Sequence, residues 1–161
     1  PKNGLFMMYK DKKTYNTALP YCLFAIAYPL KMISFNNQDI KFKLNDKNRL
    51  KQWITGVVHS KNRRVGELAF IFCSDDYLLQ INKQYLNHNT LTDIITFDYS
   101  KDNSQLPISG DIYISIDRVK DNAQKFAVSQ ENELHRVIIH GVLHLLGYKD
   151  KTKAAKAEMT K

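Results

Sequence analysis

Cysteine is scarce in this chain: Cys22 and Cys73 are the only two in 161 residues, and they form no CxxC pair. A disulfide scaffold and a thiolate zinc site are thereby excluded, and a reducing, cytoplasmic setting is the simplest expectation. Four prolines and six glycines are too few for a collagen-like or linker-rich chain. Long apolar runs are missing as well. The stretch Ala18 to Leu30 is broken by Pro20 and Pro29 and is shorter than the roughly 20 residues that cross a bilayer as a helix, so no membrane partner is expected. Acids are in the minority, 16 against 24 Lys+Arg, which leaves a formal charge of +8. That balance favours acidic partners such as RNA without naming one.

What is present is an ordinary globular composition, 43% apolar and 25% charged, at a length that suits one domain. Residues 1–31 stand apart: they carry five lysines and one aspartate, so half of the net charge lies there. Their lysines followed by an apolar stretch resemble a secretory leader, with Ala25-Ile26-Ala27 as a cleavage site. The preferred expectation is an N-terminal extension over 1–31, with the working domain over 32–161, opening at Met32.

From Ile33 onward the patterning is regular. Ile33 and Phe35 alternate, Asn36-Asn37 marks a turn, and Ile40, Phe42 and Leu44 alternate again, which predicts a hairpin or bent strand pair. Asp46 is expected to cap a helix with Leu50, Trp53, Ile54, Val57 and Val58 on one side. A strand over Val65 to Cys73 follows Arg63-Arg64, then a helix capped by Ser74 with Leu78, Leu79 and Ile81 facing inward. An Asn-rich loop leads to strands at Asp93 to Tyr99 and Asp111 to Ile116, a helix from Asp117 to about Phe126, and a last helix, capped by Ser129, from Gln130 to Leu146 that stops at Gly147. The expected order is β-β-α-β-α-β-β-α-α. The fold class is therefore α+β, a single domain with one mixed sheet covered by helices and a ligand-bearing helix near the C-terminus.

The chemistry concentrates in His140-Gly-Val-Leu-His144-Leu-Leu-Gly147-Tyr-Lys-Asp150. Histidines at i and i+4 project from one helix face, and a glycine stop lets the chain return a carboxylate toward them. Two histidines in an apolar helix are more often packed core side chains, but the glycine and the returning Asp150 add two further requirements. His140, His144 and Asp150 are accordingly the expected ligands of one Zn²⁺ per chain, with open positions as in a catalytic site. The spacing is zincin-like, HExxHxxGxxH, with two departures. Gly141 stands where a zinc peptidase has its general-base Glu, and Asp150 stands where the pattern has His. A peptidase mechanism is thereby disfavoured.

These residues resemble the YbeY endoribonucleases, whose signature has the form HGxLHLxGYDH. His140, Gly141, Leu143, His144, Leu145, Gly147 and Tyr148 match it, Lys149 replaces Asp, and Asp150 takes the place of the third histidine. INKQYLNHNTLTDIITF, from Ile81 to Phe97, is similar to the family's LNxxYRxxxxxTDVLSF, and Gly110-Asp111-Ile112 with Ile114-Ser115 resembles its GDIxIS strand. The resemblance covers about Ile33 to Lys161. It implies a zincin-like, zinc-dependent endoribonuclease specific for single strands, acting in 16S rRNA maturation and ribosome quality control, with rRNA and the ribosome or small ribosomal subunit as partners. The arginine of YRxx, which in the family is thought to help engage phosphate, is Leu86 here.

Two further residues are candidates for catalysis. His88, on the Asn-rich loop, offers a donor in place of the missing arginine, against the blander reading of a solvated loop histidine. Asp93, after Thr92 at a strand entrance, either positions substrate or is a simple turn residue. Arg63-Arg64 reads as a solvated turn before a phosphate contact, and His59 and His135 receive no role. Two other functions remain open: a ribosome-associated RNA-binding factor with little cleavage, and a zinc peptidase or amidase, against which Gly141 argues.

Overall fold

A computed structural model of the protein describes residues 32–100 and 106–150. The candidate leader and Cys22 lie outside the described residues. The elements in chain order are β1 (Met32–Asn37), α1 (Lys47–Ser60), β2 (Val65–Cys73), α2 (Asp75–Leu86), β3 (Ile94–Asp98), β4 (Ile108–Ser115), α3 (Ile116–Lys125) and α4 (Gln130–Leu145). The four strands form one mixed sheet in the order β1-β2-β4-β3. β1 and β4 run parallel to β2, and β3 is antiparallel to β4, so β3 is an edge.

Strand alternation splits the interior in two. Leu68, Phe70 and Phe72 of β2 and Ile108, Ile112 and Ile114 of β4 point to one face, where Leu50, Ile54 and Val58 of α1, Val119 of α3 and Val137, Ile138, Val142 and Leu145 of α4 close the larger core. The opposite face carries a smaller cluster, Cys73, Leu78, Ile81 and Ile95, beneath α2. Burial and the nearby carboxylates push the Cys73 thiol up to about 12, so it is an inert core group. Helix starts follow their caps: the hydroxyls of Ser74, Ser115 and Ser129 accept from the amides of Tyr77, Arg118 and Asn132.

Four local expectations are corrected. Ile40, Phe42 and Leu44 form no strand; they lay one apolar side on the larger core along a segment that pairs with no strand among the described residues, tied at Asn37 Nδ2 to Phe42 O, 2.9 Å. Alternation reports an extended chain with one buried face, and a ladder needs a partner besides. Asp46 does not cap α1 with its side chain, because its own backbone is left-handed at φ 48°. The buried side of α1 is Leu50, Ile54, Thr55 and Val58, while Trp53 turns outward onto His135 at 5.7 Å between ring centroids. Finally, β4 starts at Ile108 instead of Asp111 and runs through Gly110. A Cβ there would lie 2.3 Å from the Phe97 carbonyl oxygen and 3.1 Å from Leu145, so the glycine of the GDI motif lets β3 and α4 close on β4.

Candidate metal centre

α4 delivers both histidines to one end of the sheet. Its C-terminus closes in a Schellman arrangement: Tyr148 N donates to Leu143 O at 3.0 Å and Gly147 N to His144 O at 2.9 Å, with Gly147 at φ 93°. That reversal brings Asp150 back over the helix end. His140 Nε2 and His144 Nε2 stand 3.1 Å apart, and Asp150 Oδ2 lies 3.6 Å and 3.8 Å from them. The three donor atoms all fall within 4.8 Å of one another, the compact grouping a single ion requires.

The surroundings prepare these groups for a cation. His144 Nδ1 lies 3.1 Å from the Tyr148 carbonyl, an acceptor only, so Nδ1 carries the proton and Nε2 keeps its lone pair for the centre. The Tyr148 ring is itself held under Lys61 Nζ at 5.4 Å. Burial, with the His144 ring next, holds His140 below the usual imidazole range, against the opposing pull of Asp93 and Asp150. A neutral imidazole is the form that ligates. Two imidazoles and one carboxylate suit a borderline ion such as Zn²⁺, and three protein ligands leave room for substrate.

The three residues open onto a cleft of about 490 Å³ whose other wall is the segment from the end of α2 to β3. Both His88 and Asp93 line it, as does Leu86. The 87–93 loop is shaped by Asn82, whose buried side-chain Nδ2 donates to Thr90 O at 2.7 Å while its backbone carbonyl accepts from His88 N at 3.3 Å. Asp93 is held from α4: Arg136 Nη2 donates to Asp93 Oδ2 at 2.9 Å. The same guanidinium grips Glu133, Nε to Oε2 at 2.9 Å and Nη2 to Oε1 at 2.7 Å. Those charge-assisted bonds raise Arg136 above its ordinary value. The reading of Arg63 as a solvated turn residue is corrected: its side chain is half-buried and donates from Nη2 to Leu106 O at 3.3 Å, a tie to the segment that enters β4.

The family model described as Endoribonuclease YbeY matches residues 32–161. The chain belongs to the YbeY family. Endoribonuclease YbeY of Flavobacterium psychrophilum is 54% identical over 123 residues, covering 76% of this chain and 85% of that protein. The protein of the same name from Cytophaga hutchinsonii is 47% identical over 127 residues, 79% of this chain and 87% of its own. Among solved structures, the solution structure of TM1509 from Thermotoga maritima superposes with a TM-score of 0.56 at 28% identity, covering 80% of this chain and 85% of that one. YbeY proteins are by name endoribonucleases, hydrolases acting on RNA, and that places this chain among RNA-cleaving enzymes.

The glycine of the YbeY signature has a packing cause. A Cβ on Gly141 would lie 2.6 Å from Ile94 Cδ1 and 2.8 Å from Ile112 Cγ2, because this face of α4 rests directly on β3 and β4. A peptidase Glu has no room here without displacing Ile94 and Ile112. Gly141→Ala is expected to destabilise the fold by about 1–2 kcal/mol, as overpacking exceeds the roughly 1 kcal/mol that alanine contributes to a helix. Denaturant unfolding measures it, and a stabilised variant would show that α4 moves off the sheet freely.

Sequence reasoning missed Asn82, Glu133 and Arg136. The signal was the Glu133-x-x-Arg136 spacing, which on a helix puts carboxylate and guanidinium one turn apart beside Leu134 and Val137. A charged pair set into an otherwise apolar face marks a buried network.

Proposed function

We propose that this chain is a zinc-dependent endoribonuclease that cuts single-stranded RNA in rRNA maturation, 16S rRNA included, in contact with the ribosome or small ribosomal subunit in the cytoplasm. The observation that carries it is the meeting of His140, His144 and Asp150 in one cleft with His88 and Asp93, in a chain of this family. The three ligands would hold one Zn²⁺, which when bound supplies Lewis acidity at a phosphoryl oxygen and lowers the pKa of water. His88 donates a hydrogen bond to a phosphate oxygen, a duty that Leu86 cannot perform. Asp93, with one oxygen committed to Arg136, keeps the other as an acceptor that orients a water or a ribose hydroxyl. No helix among the described residues is long and apolar enough to cross a membrane.

Purified protein given matched single- and double-stranded RNAs should cut the single strand, lose that activity to a chelator and regain it with Zn²⁺. His88→Ala should lower cleavage about tenfold or more with zinc content unchanged, and Leu86→Arg in that background should recover part of the loss. Cleavage that ignores the chelator overturns the reading. Binding of RNA with no cleavage under any metal would favour the RNA-binding factor instead.

A further inference from the structure

The sheet face turned away from α4 carries a second cleft, of about 380 Å³, between α2 and the outer strands β3 and β4. It is lined by aromatic rings in contact with one another. Tyr85 meets Phe97 edge-on at 5.4 Å, Phe97 meets Tyr113 edge-on at 5.8 Å, and Tyr113 stacks on Tyr77 at 6.4 Å. Tyr99 closes the cleft, its hydroxyl donating to Asp111 Oδ2 at 2.9 Å. Packing alone explains the inner rings, which roof the small cluster around Ile81 and Ile95. It does not explain Tyr85 and Tyr99, which are 43% and 58% exposed.

The chemistry of this cleft selects its occupant. Among the described residues its lining holds no Lys or Arg and one carboxylate, so a phosphate is unsuited to it. Flat π-faces bordered by Gln80, Gln84 and Asp111 suit a flat, uncharged ligand with donors and acceptors on its edge, which describes a nucleobase. The cleft also shares α2 and β3 with the metal centre. α2 turns Asn82 and Leu86 to the metal side and Ile81 and Tyr85 to the aromatic side; β3 turns Ile94 and Thr96 to the first and Phe97 to the second. Because β3 is the edge of the sheet, a single strand crossing it reaches both.

We propose that the aromatic cleft is a nucleobase subsite, in which Tyr85 and Tyr99 stack a base of the RNA strand whose phosphodiester lies at the metal centre. The inference rests on RNA being the substrate of that centre. A duplex keeps its bases stacked on each other and cannot present one here, so the subsite also accounts for a preference for single strands.

The test is an abasic scan. A short single-stranded RNA is prepared with an abasic nucleotide at each position in turn, and the zinc-loaded protein is assayed for KM and kcat, and for binding of the 2′-O-methyl version of each oligonucleotide. The wild type should lose about tenfold in KM and in binding at one position flanking the cut, with kcat little changed. The Tyr85→Ala/Tyr99→Ala double variant should bind the intact RNA about tenfold more weakly and lose its sensitivity at that position, while Tyr85→Phe/Tyr99→Phe behaves as wild type. Both side chains are exposed, and an unchanged unfolding midpoint confirms that the fold is intact. Wild-type KM in the double alanine variant, or an abasic profile identical in variant and wild type, overturns the subsite. Positional binding in a protein that cuts nothing would retain the subsite and remove the cleavage reading.

Discussion

With His140 and His144 both changed to alanine, the protein is expected to carry no zinc and to cut single-stranded RNA at least about a thousandfold more slowly. The size follows from what the ion contributes. Lewis-acid stabilisation of charge at a phosphoryl oxygen is worth several kcal/mol, and each 1.36 kcal/mol is about tenfold in rate. The fold should survive, because α4 is held by its other face, through Val137, Ile138, Val142 and Leu145, while the two imidazoles are roughly a quarter exposed. Elemental analysis, circular dichroism and a cleavage assay on the same preparation separate these effects. Asp150→Ala should weaken zinc more than His88→Ala or His135→Ala, since Asp150 is the third donor of the cluster. Asp150→His exchanges a carboxylate for a neutral ligand, raises the charge of the site by one, and should retain the ion and move the pH–rate profile toward acid. Zinc retained at one per chain in the double alanine variant would show that the ligands are elsewhere.

Much of this site was legible because its parts are local. The i, i+4 histidines, the glycine stop and the returning carboxylate span only residues 140–150, and helix geometry alone brings them together. β2 was legible over its full length, since Leu68, Phe70 and Phe72 alternate in a strand flanked by parallel neighbours. Ser74 and Ser129 announced the helices they cap. Apart from Asp46, whose own left-handed backbone prevents its cap, the failures share a cause in contacts distant along the chain. Whether Ile40 to Leu44 pairs as a strand depends on what lies beside it, and whether Trp53 is buried depends on how α1 meets α4. Gly141 read as a missing catalytic group until its neighbours were known; Ile94 and Ile112, from two different strands, make it a packing requirement. His88 and Asp93 reach the cleft through Asn82 and Arg136, and neither link has a local signature.

Arg136→Met carries the largest expected cost in stability, about 3 kcal/mol or more. The carboxylate of Glu133 is 2% exposed, and its hydrogen bonds run to that guanidinium. Removing one partner of a buried pair strands the other charge, which costs about 3–5 kcal/mol. The lower end applies here, because the Arg136 side chain is 47% exposed and water can enter where it stood. The Arg136 contact to Asp93 is a smaller part, since at 23% exposure for Asp93 such a pair contributes about 1 kcal/mol or less. The two contributions separate by experiment. Glu133→Leu/Arg136→Met replaces the buried pair by apolar groups and should recover most of the stability, while still leaving Asp93 without its tether to α4. Cleavage by this double variant should therefore stay well below wild type although its unfolding midpoint returns toward it. A single Arg136→Met variant within 1 kcal/mol of wild type would mean that Glu133 is not dependent on this guanidinium. A double variant restored in both stability and cleavage would mean that Asp93 needs no tether to do its work.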